Sequence, residues 1–262
     1  MSRCLIVLVV LGSGCIGRSE AGALPEAAHS ALRGAQTAAP TAAAGSATLS
    51  GRVTWHGAHP AMEATPIPAT ASVCGASSPF EALEIGADEG VAGAIVTVEG
   101  AHGPVTPTTV TIDQHGCKFE PHVVVVPVGG RLNFTNHDTV LHSVHAFRGA
   151  ASEFNLASPP GLPLARPMTA PGLIRIQCDV GHTWMAGWVN VVDSPFVAVT
   201  DAHGAYHIPN LPPGTYRVTM WHEGWSPHPS PDGHASFGPA VTHTESVTVP
   251  ATGAVTRSFT LP

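Results

Sequence analysis

From residue 48 onward, apolar residues occur in short runs rich in Val, Ile and Leu, and Gly, Pro, Asn and Asp separate these runs. No long segment has the 3.6-residue period of an amphipathic helix, so the pattern predicts β-strands joined by turns. The first group of predicted strands covers residues 50–55, 94–98, 108–112, 123–126, 131–135, 141–147, 172–178 and 188–192. A second group covers residues 197–200, 205–208, 215–221, 241–249 and 255–260. We therefore expect an all-β protein built from antiparallel sandwiches.

The two groups of strands predict two domains. Well-specified turns separate the strands of the second group, at Asp201-Ala202-His203-Gly204 and Pro212-Pro213-Gly214, where Gly supplies the positive φ that tight turns need. We place the boundary near Ser194, with one domain over 48–193 and a second over 194–262.

The N-terminal segment predicts export. Arg3 precedes the apolar run Leu5 to Leu11, and Ala21-Gly22-Ala23 offers a small-x-small cleavage site, so residues 1–23 are typical of a secretory signal peptide. The apolar run is too short to span a membrane. Cys15 is a rival processing site, since Gly-Ser-Gly-Cys resembles a degenerate lipoprotein box and would give a membrane tether. A periplasmic or extracellular location is expected in both cases.

Residues 24–47 are rich in Ala, Thr, Pro and Gly and hold few large apolar residues, which predicts a flexible linker. The formal net charge of −7 argues against nucleic acid as a partner, because nucleic-acid binding needs a basic face. The same charge is compatible with a basic redox partner.

The exported protein would keep three cysteines, Cys74, Cys117 and Cys178, in an oxidising compartment. An odd count leaves one thiol unpaired. The simplest allocation is a Cys74–Cys117 disulfide with Cys178 free to bind a metal. The opposite allocation, with Cys178 in the disulfide, would exclude that metal site.

Cys178, His182 and Met185 follow one another at spacings of four and three. On a helix these residues would share one face and could pack in a core. Gly181 and Gly187 interrupt any helix, however, so the three side chains are expected in a loop between two strands. A thiolate, imidazoles and a weak thioether are the donors of mononuclear copper electron-transfer sites.

A second imidazole must come from elsewhere in the chain. His142 is the best candidate among His137, His142 and His145, which follow the predicted strand at 131–135. His142 and His145 differ by an odd number along a strand, so they point to opposite faces. His145 and His122 are possible additional ligands, although a solvent-exposed role is the simpler interpretation of His122.

These residues resemble the cupredoxin family, in particular plastocyanin-like and methylamine-utilization-type periplasmic proteins. The resemblance covers roughly 48–193, and its motifs are Phe119-Glu-Pro121, Gly129-Gly130, Asn133-Phe-Thr-Asn136, Leu141-His-Ser-Val144 and Cys178-Asp-Val-Gly-His-Thr-Trp-Met185. It implies a Greek-key sandwich that binds copper through His142, Cys178, His182 and Met185. The related dinuclear copper loop needs a second cysteine where this chain has Ile174, so a mononuclear centre is expected.

The C-terminal segment resembles the smaller transthyretin-like or carboxypeptidase-regulatory-like β-sandwich. The motifs are Val199-Thr-Asp-Ala-His-Gly-Ala-Tyr206 and Leu211-Pro-Pro-Gly-Thr-Tyr216. Some modules of this kind bind carbohydrate or dock partners, and others support a neighbouring domain.

No nucleophile elbow, phosphate-binding Gly loop or His-Glu-x-x-His motif is present, so we do not expect an enzyme. The first functional hypothesis is a periplasmic or surface-tethered copper protein that transfers electrons to a redox protein partner. The alternative is a copper-binding, copper-storage or structural surface protein whose C-terminal module binds a partner or a carbohydrate.

Overall fold

The computed structural model describes residues 46–228 and 232–262, and this part of the chain consists of strands with one short 3-10 helix at Ala69–Cys74. The strands, in chain order, are β1 (Ser46–Trp55), β2 (Thr65–Pro66), β3 (Ser77–Ser78), β4 (Ile95–Glu99), β5 (Thr109–His115), β6 (Lys118–Glu120), β7 (Val123–Pro127), β8 (Arg131–Asn136), β9 (His142–Arg148), β10 (Ala151–Ser158), β11 (Leu164–Pro167), β12 (Gly172–Gln177), β13 (Ala186–Val192), β14 (Val197–Val199), β15 (Ala205–Leu211), β16 (Gly214–His222), β17 (Val241–Val249), β18 (Thr252–Thr256) and β19 (Phe259–Leu261). The all-β prediction is confirmed.

The predicted signal peptide at 1–23, Cys15 and nearly all of the predicted linker at 24–47 lie outside the described residues. Within 46–228 and 232–262, no helix has the length and apolar character needed to cross a membrane.

The first sandwich consists of β5 to β13. One sheet has the order β10-β9-β12-β13-β7, and the other has the order β11-β8-β5-β6. Alternate side chains of β7 and β8 are buried, as expected for strands with one face on a core. Apolar side chains from both sheets form one core, which includes Ile112, Phe134, Val144, Ile176 and Val189.

The second sandwich combines strands from both ends of the described chain. Its sheets are β15-β1-β18, with β19 also paired to β1, and β14-β4-β16-β17. Their shared core includes Leu49, Val96, Ile208, Val218 and Leu261.

The structure divides the chain differently from the predicted boundary at 193/194. Strand β1 pairs with β15, and β4 pairs with β14 and β16, so two strands expected in the first domain lie in the second sandwich. The first sandwich is therefore an insertion between β4 and β14. Local composition identifies a strand but not its partner, because pairing depends on register between residues far apart in the chain.

Further differences concern individual strands. The short strands β2, β3 and β6 were not predicted. Strands β10 and β11 were not predicted either, since most of their residues are exposed or half-buried and β11 contains Pro167 at an edge of its sheet. The run predicted as one strand at 255–260 is divided into β18 and β19, both of which pair in parallel with β1.

Candidate metal centre

Neighbouring strands of the first sandwich bring the candidate ligands together. His142 begins β9, Cys178 directly follows β12, and Met185 directly precedes β13. Strand β12 lies between β9 and β13, with Gln177 paired to both His145 and Ala186. The ends of the three strands therefore meet at one end of the sheet, and the loop over 178–185 lies beside the start of β9.

His142, Cys178 and His182 present their ligand atoms to one point. His142 Nδ1 lies 2.9 Å from His182 Nδ1, and Cys178 Sγ lies 3.9 Å from the first and 3.6 Å from the second. The circumradius of a triangle with these three sides is about 2.0 Å, close to the 2.0–2.3 Å that Zn²⁺ keeps from nitrogen and sulfur ligands. The three atoms are therefore close enough together to be ligands of one first-row metal ion.

Met185 is a buried residue at the end of the same loop. Its side chain is fully buried, and its backbone is fixed by two hydrogen bonds, one from Met185 N–H to His182 O at 2.9 Å and one from Cys178 N–H to Met185 O at 3.3 Å. Backbone hydrogen bonds thus join the two ends of the ligand loop, at Cys178 and Met185.

The cysteine sulfur accepts a backbone hydrogen bond, which favours the thiolate. Ser143 N–H lies 3.3 Å from Cys178 Sγ, while Ser143 Oγ accepts a 2.8 Å bond from Asp179 N–H. Cys178 is a free, fully buried cysteine. Burial raises the pKa of the thiol, and the Ser143 N–H opposes this rise only in part. A bound cation would favour the thiolate strongly.

Asp138 fixes the tautomer of His142. Its carboxylate lies 2.9 Å from His142 Nε2, and because a carboxylate only accepts, Nε2 carries the proton and the Nδ1 lone pair points to the ligand group. Burial alone would raise the pKa of Asp138, but N–H groups of Cys117 and Gly116 and the His142 ring hold it below its usual value.

His182 is suited to metal binding as a neutral imidazole. Burial, together with the neighbouring His142, lowers its pKa. Metal ligation requires the deprotonated ring nitrogen, so this shift favours the binding form.

The other histidines named from the sequence lie elsewhere. His145 bonds to Asp179 and Ser152, at 2.5 and 2.8 Å, and His137 bonds to Asp113. His122 forms a short contact with Glu223 of the second sandwich. None of these three histidines belongs to the ligand group over the described residues.

Cys74 and Cys117 form a disulfide beside the site. Both sulfurs lie within 4.8 Å of a His182 ring nitrogen, but their covalent bond leaves neither as a free thiolate. The turn at Cys117 also supports the ligands, because Cys117 O accepts a 3.1 Å bond from Trp184 Nε1.

The sequence reasoning missed Asp138, Ser143 and the contacts that the second sandwich makes with the ligand loop. Asp138 precedes His142 by four residues, which is the one local signal that would have identified it.

Comparison with solved structures finds similarity to copper proteins, among them a nitrite reductase, a purple cupredoxin and amicyanin. No protein-family model matches the chain, and no curated protein matches it significantly. A copper-containing nitrite reductase from Thermus scotoductus SA-01 is 24% identical, with a TM-score of 0.30, over 37% of this chain and 25% of that chain. The similar region thus spans a quarter of that protein's length.

Two smaller proteins are covered almost completely. A purple cupredoxin from Nitrosopumilus maritimus is 20% identical with a TM-score of 0.29, over 31% of this chain and 98% of its own. A Cu(I) amicyanin variant is 21% identical with a TM-score of 0.29, over 37% and 98%. These values are low, so the geometry of the ligands has to support any functional assignment.

Proposed function

We propose that this protein binds one copper ion through His142, Cys178, His182 and Met185 and transfers electrons. The observation that carries the proposal is the convergence of two imidazole nitrogens and one thiol sulfur on a point about 2.0 Å from each. Two histidines and one cysteine with a nearby methionine are the donor set of copper electron-transfer centres.

The protein holds these donors in place before the metal arrives. Asp138 orients His142, the Ser143 N–H supports the Cys178 sulfur, and strands β12 and β13 fix the ends of the ligand loop. Bound copper would supply one-electron exchange between its two oxidation states. Rigid, buried donors reduce the rearrangement that accompanies such an exchange.

A carrier role fits the burial of the site better than a catalytic role. His142, Cys178 and Met185 are fully buried and His182 is 6% exposed, so the donor set offers little room for a substrate to reach the metal. We therefore propose a protein partner as the source or acceptor of electrons.

Exposed apolar side chains support this choice of partner. The described part of the chain has five large exposed apolar side chains. One of them, Leu141, directly precedes His142, and another, Val180, lies in the ligand loop. A third, Val73, precedes Cys74 of the nearby disulfide. Apolar surface next to a redox centre is suited to transient docking.

We also propose that the protein works outside the cytoplasm, in the periplasm or on the cell surface. The Cys74–Cys117 disulfide supports this location, because disulfides persist in oxidising compartments.

The first test is the visible and electron paramagnetic resonance spectrum of residues 24–262 after addition of one equivalent of cupric ion. We expect a strong thiolate-to-copper band, which Cys178→Ser abolishes, and a reversible redox potential. Since the chain has 16 histidines, the control is His207→Ala, an exposed histidine of the second sandwich, which should leave the band unchanged.

A band that survives Cys178→Ser would contradict the ligand assignment. Weak, exchangeable copper without a reversible redox wave would instead support the storage or structural alternative.

A further inference from the structure

The second sandwich extends a loop onto the ligand loop of the first sandwich. This loop connects β16 to β17, and its residues 232–235 contact the segment that carries Cys178 and His182. Ala235 N–H donates a 2.6 Å hydrogen bond to Thr183 O, which lies next to His182. The His234 ring bonds to the carbonyl oxygen of Cys178 itself, at 3.0 Å from Nε2.

His234 is well placed to act as a donor. A carbonyl oxygen only accepts, so the 3.0 Å contact requires the proton on Nε2. The His234 side chain is 9% exposed, and Asp179 Oδ1 lies 3.4 Å from the same Nε2. Its Nδ1 lies 3.1 Å from Asp232 Oδ2 without the alignment of a hydrogen bond.

Strand β12 also forms hydrogen bonds with residues 232–235. Arg175 Nη2 donates a 2.7 Å bond to Ala235 O, and Gln177 Nε2 donates a 3.2 Å bond to Asp232 Oδ2. Arg175 and Gln177 precede Cys178 in the chain, and Thr183 follows it. Residues 232–235 are therefore bonded to segments both before and after the cysteine.

These contacts add to two backbone hydrogen bonds within the ligand loop, from Met185 N–H to His182 O and from Cys178 N–H to Met185 O. The carbonyl groups of Cys178 and Thr183 are bonded to His234 and Ala235, both of which belong to the second sandwich. Groups that hold a metal ligand in place commonly change metal affinity 10- to 100-fold when they are removed.

We propose that residues 232–235 of the second sandwich are part of the metal centre's supporting structure, with His234 as a positioning residue for Cys178. The second sandwich therefore has a defined role in the first: it fixes the ligand loop and slows metal release. This inference rests on the proposed copper function, but its effect on the loop is measurable without metal.

The test compares His234→Phe, which keeps a ring but removes the donor, with His234→Gln, which retains an N–H donor. His228→Phe is the matched control, because His228 is an exposed histidine of the same loop. The first measurement is amide hydrogen exchange across residues 178–185 in the metal-free full chain. We expect about fivefold faster exchange in His234→Phe, the effect of losing one hydrogen bond, and near-native exchange in the other two variants.

The second measurement is the rate of copper release to a chelator, together with the redox potential. Release should be about tenfold faster in His234→Phe and should be restored toward the native rate in His234→Gln. His234→Ala, which adds no bulk, provides the same comparison if the Phe ring prevents folding.

Native exchange and native copper release in a folded His234→Phe or His234→Ala variant would overturn the inference. Failure of the unaltered protein to bind copper with a charge-transfer band would count against the proposed function instead, and the exchange experiment would still decide the role of His234 in the loop.

Discussion

Asp138 connects two parts of the candidate site through one carboxylate. Its oxygens accept hydrogen bonds from Gly116 and Cys117 N–H, both at 2.8 Å, and from His142 Nε2 at 2.9 Å. The side chain therefore holds a ligand in the correct tautomer and also holds the turn that contains the disulfide. An amide cannot satisfy all three donors, because its NH₂ group would face an N–H group.

We expect Asp138→Asn to weaken copper binding about 10- to 100-fold, since a neutral amide replaces the charged acceptor that orients His142. The free energy of unfolding should fall by about 1.5–3 kcal/mol, the contribution of a hydrogen bond to a charged acceptor. Chelator competition and urea unfolding measure the two effects. Asp193→Asn, at an exposed position, is the control, and equal losses in both variants would contradict the role of Asp138.

At the scale of elements, the turn between β5 and β6 supports the ligand loop. Cys117 lies in this turn with a positive φ of 54°, and its carbonyl accepts the Trp184 indole N–H. The disulfide to Cys74 attaches the same turn to the 3-10 helix at Ala69–Cys74. The ligand loop is thus held by a cross-linked neighbour.

We expect the double variant Cys74→Ser and Cys117→Ser to lower the free energy of unfolding by about 2–4 kcal/mol, because the cross-link closes a loop with a sequence separation of 43. Copper release should also become faster, since the turn that holds Trp184 is less constrained. Denaturant unfolding and stopped-flow chelation test both effects. Trp184→Phe separates them: it keeps the disulfide, so fast release with a smaller stability loss is the expected result.

At the scale of the whole molecule, a buried polar cluster joins the two sandwiches. Glu223 of the second sandwich bonds to His122 and, at 2.8 Å, to the Trp188 indole N–H of the first. A cleft of about 830 Å³ adjoins this cluster, and Glu81 lines it together with Lys118. Burial raises the pKa of Glu81 to about 7, although His122 and Lys118 oppose the rise.

The raised pKa of Glu81 predicts a pH-dependent loss of stability. Between about pH 4.5 and 7 the folded state keeps a proton that the unfolded chain releases, so the free energy of unfolding falls as pH rises through this window. Glu81→Gln removes this effect and should be more stable than the native chain above pH 7, by up to about 3 kcal/mol, and equally stable below pH 4.5. Urea unfolding at both pH values measures the difference.

Glu84→Gln provides the matched control, since Glu84 is an exposed neighbour that also lines the cleft. A gain that is independent of pH, or that also appears in Glu84→Gln, would contradict the assignment to Glu81.

The sequence by itself determined the strands and the chemistry of the ligand loop. Alternating apolar residues and Gly or Pro turns are local signals, so most strands were predicted to within a few residues. The spacing of Cys178, His182 and Met185 and the glycines around them placed those side chains in one loop. The sequence left two allocations of the cysteines open, and the structure contains the Cys74–Cys117 pair.

Only the tertiary structure decided which strands pair and what surrounds the ligands. Strands β1 and β4 join the second sandwich through partners more than 90 residues away, which composition does not specify. The contacts of Asp138 with the β5–β6 turn and of His234 with Cys178 also join distant segments. Such contacts depend on how the sheets pack and the loops close, so the pattern of residues along the chain does not predict them.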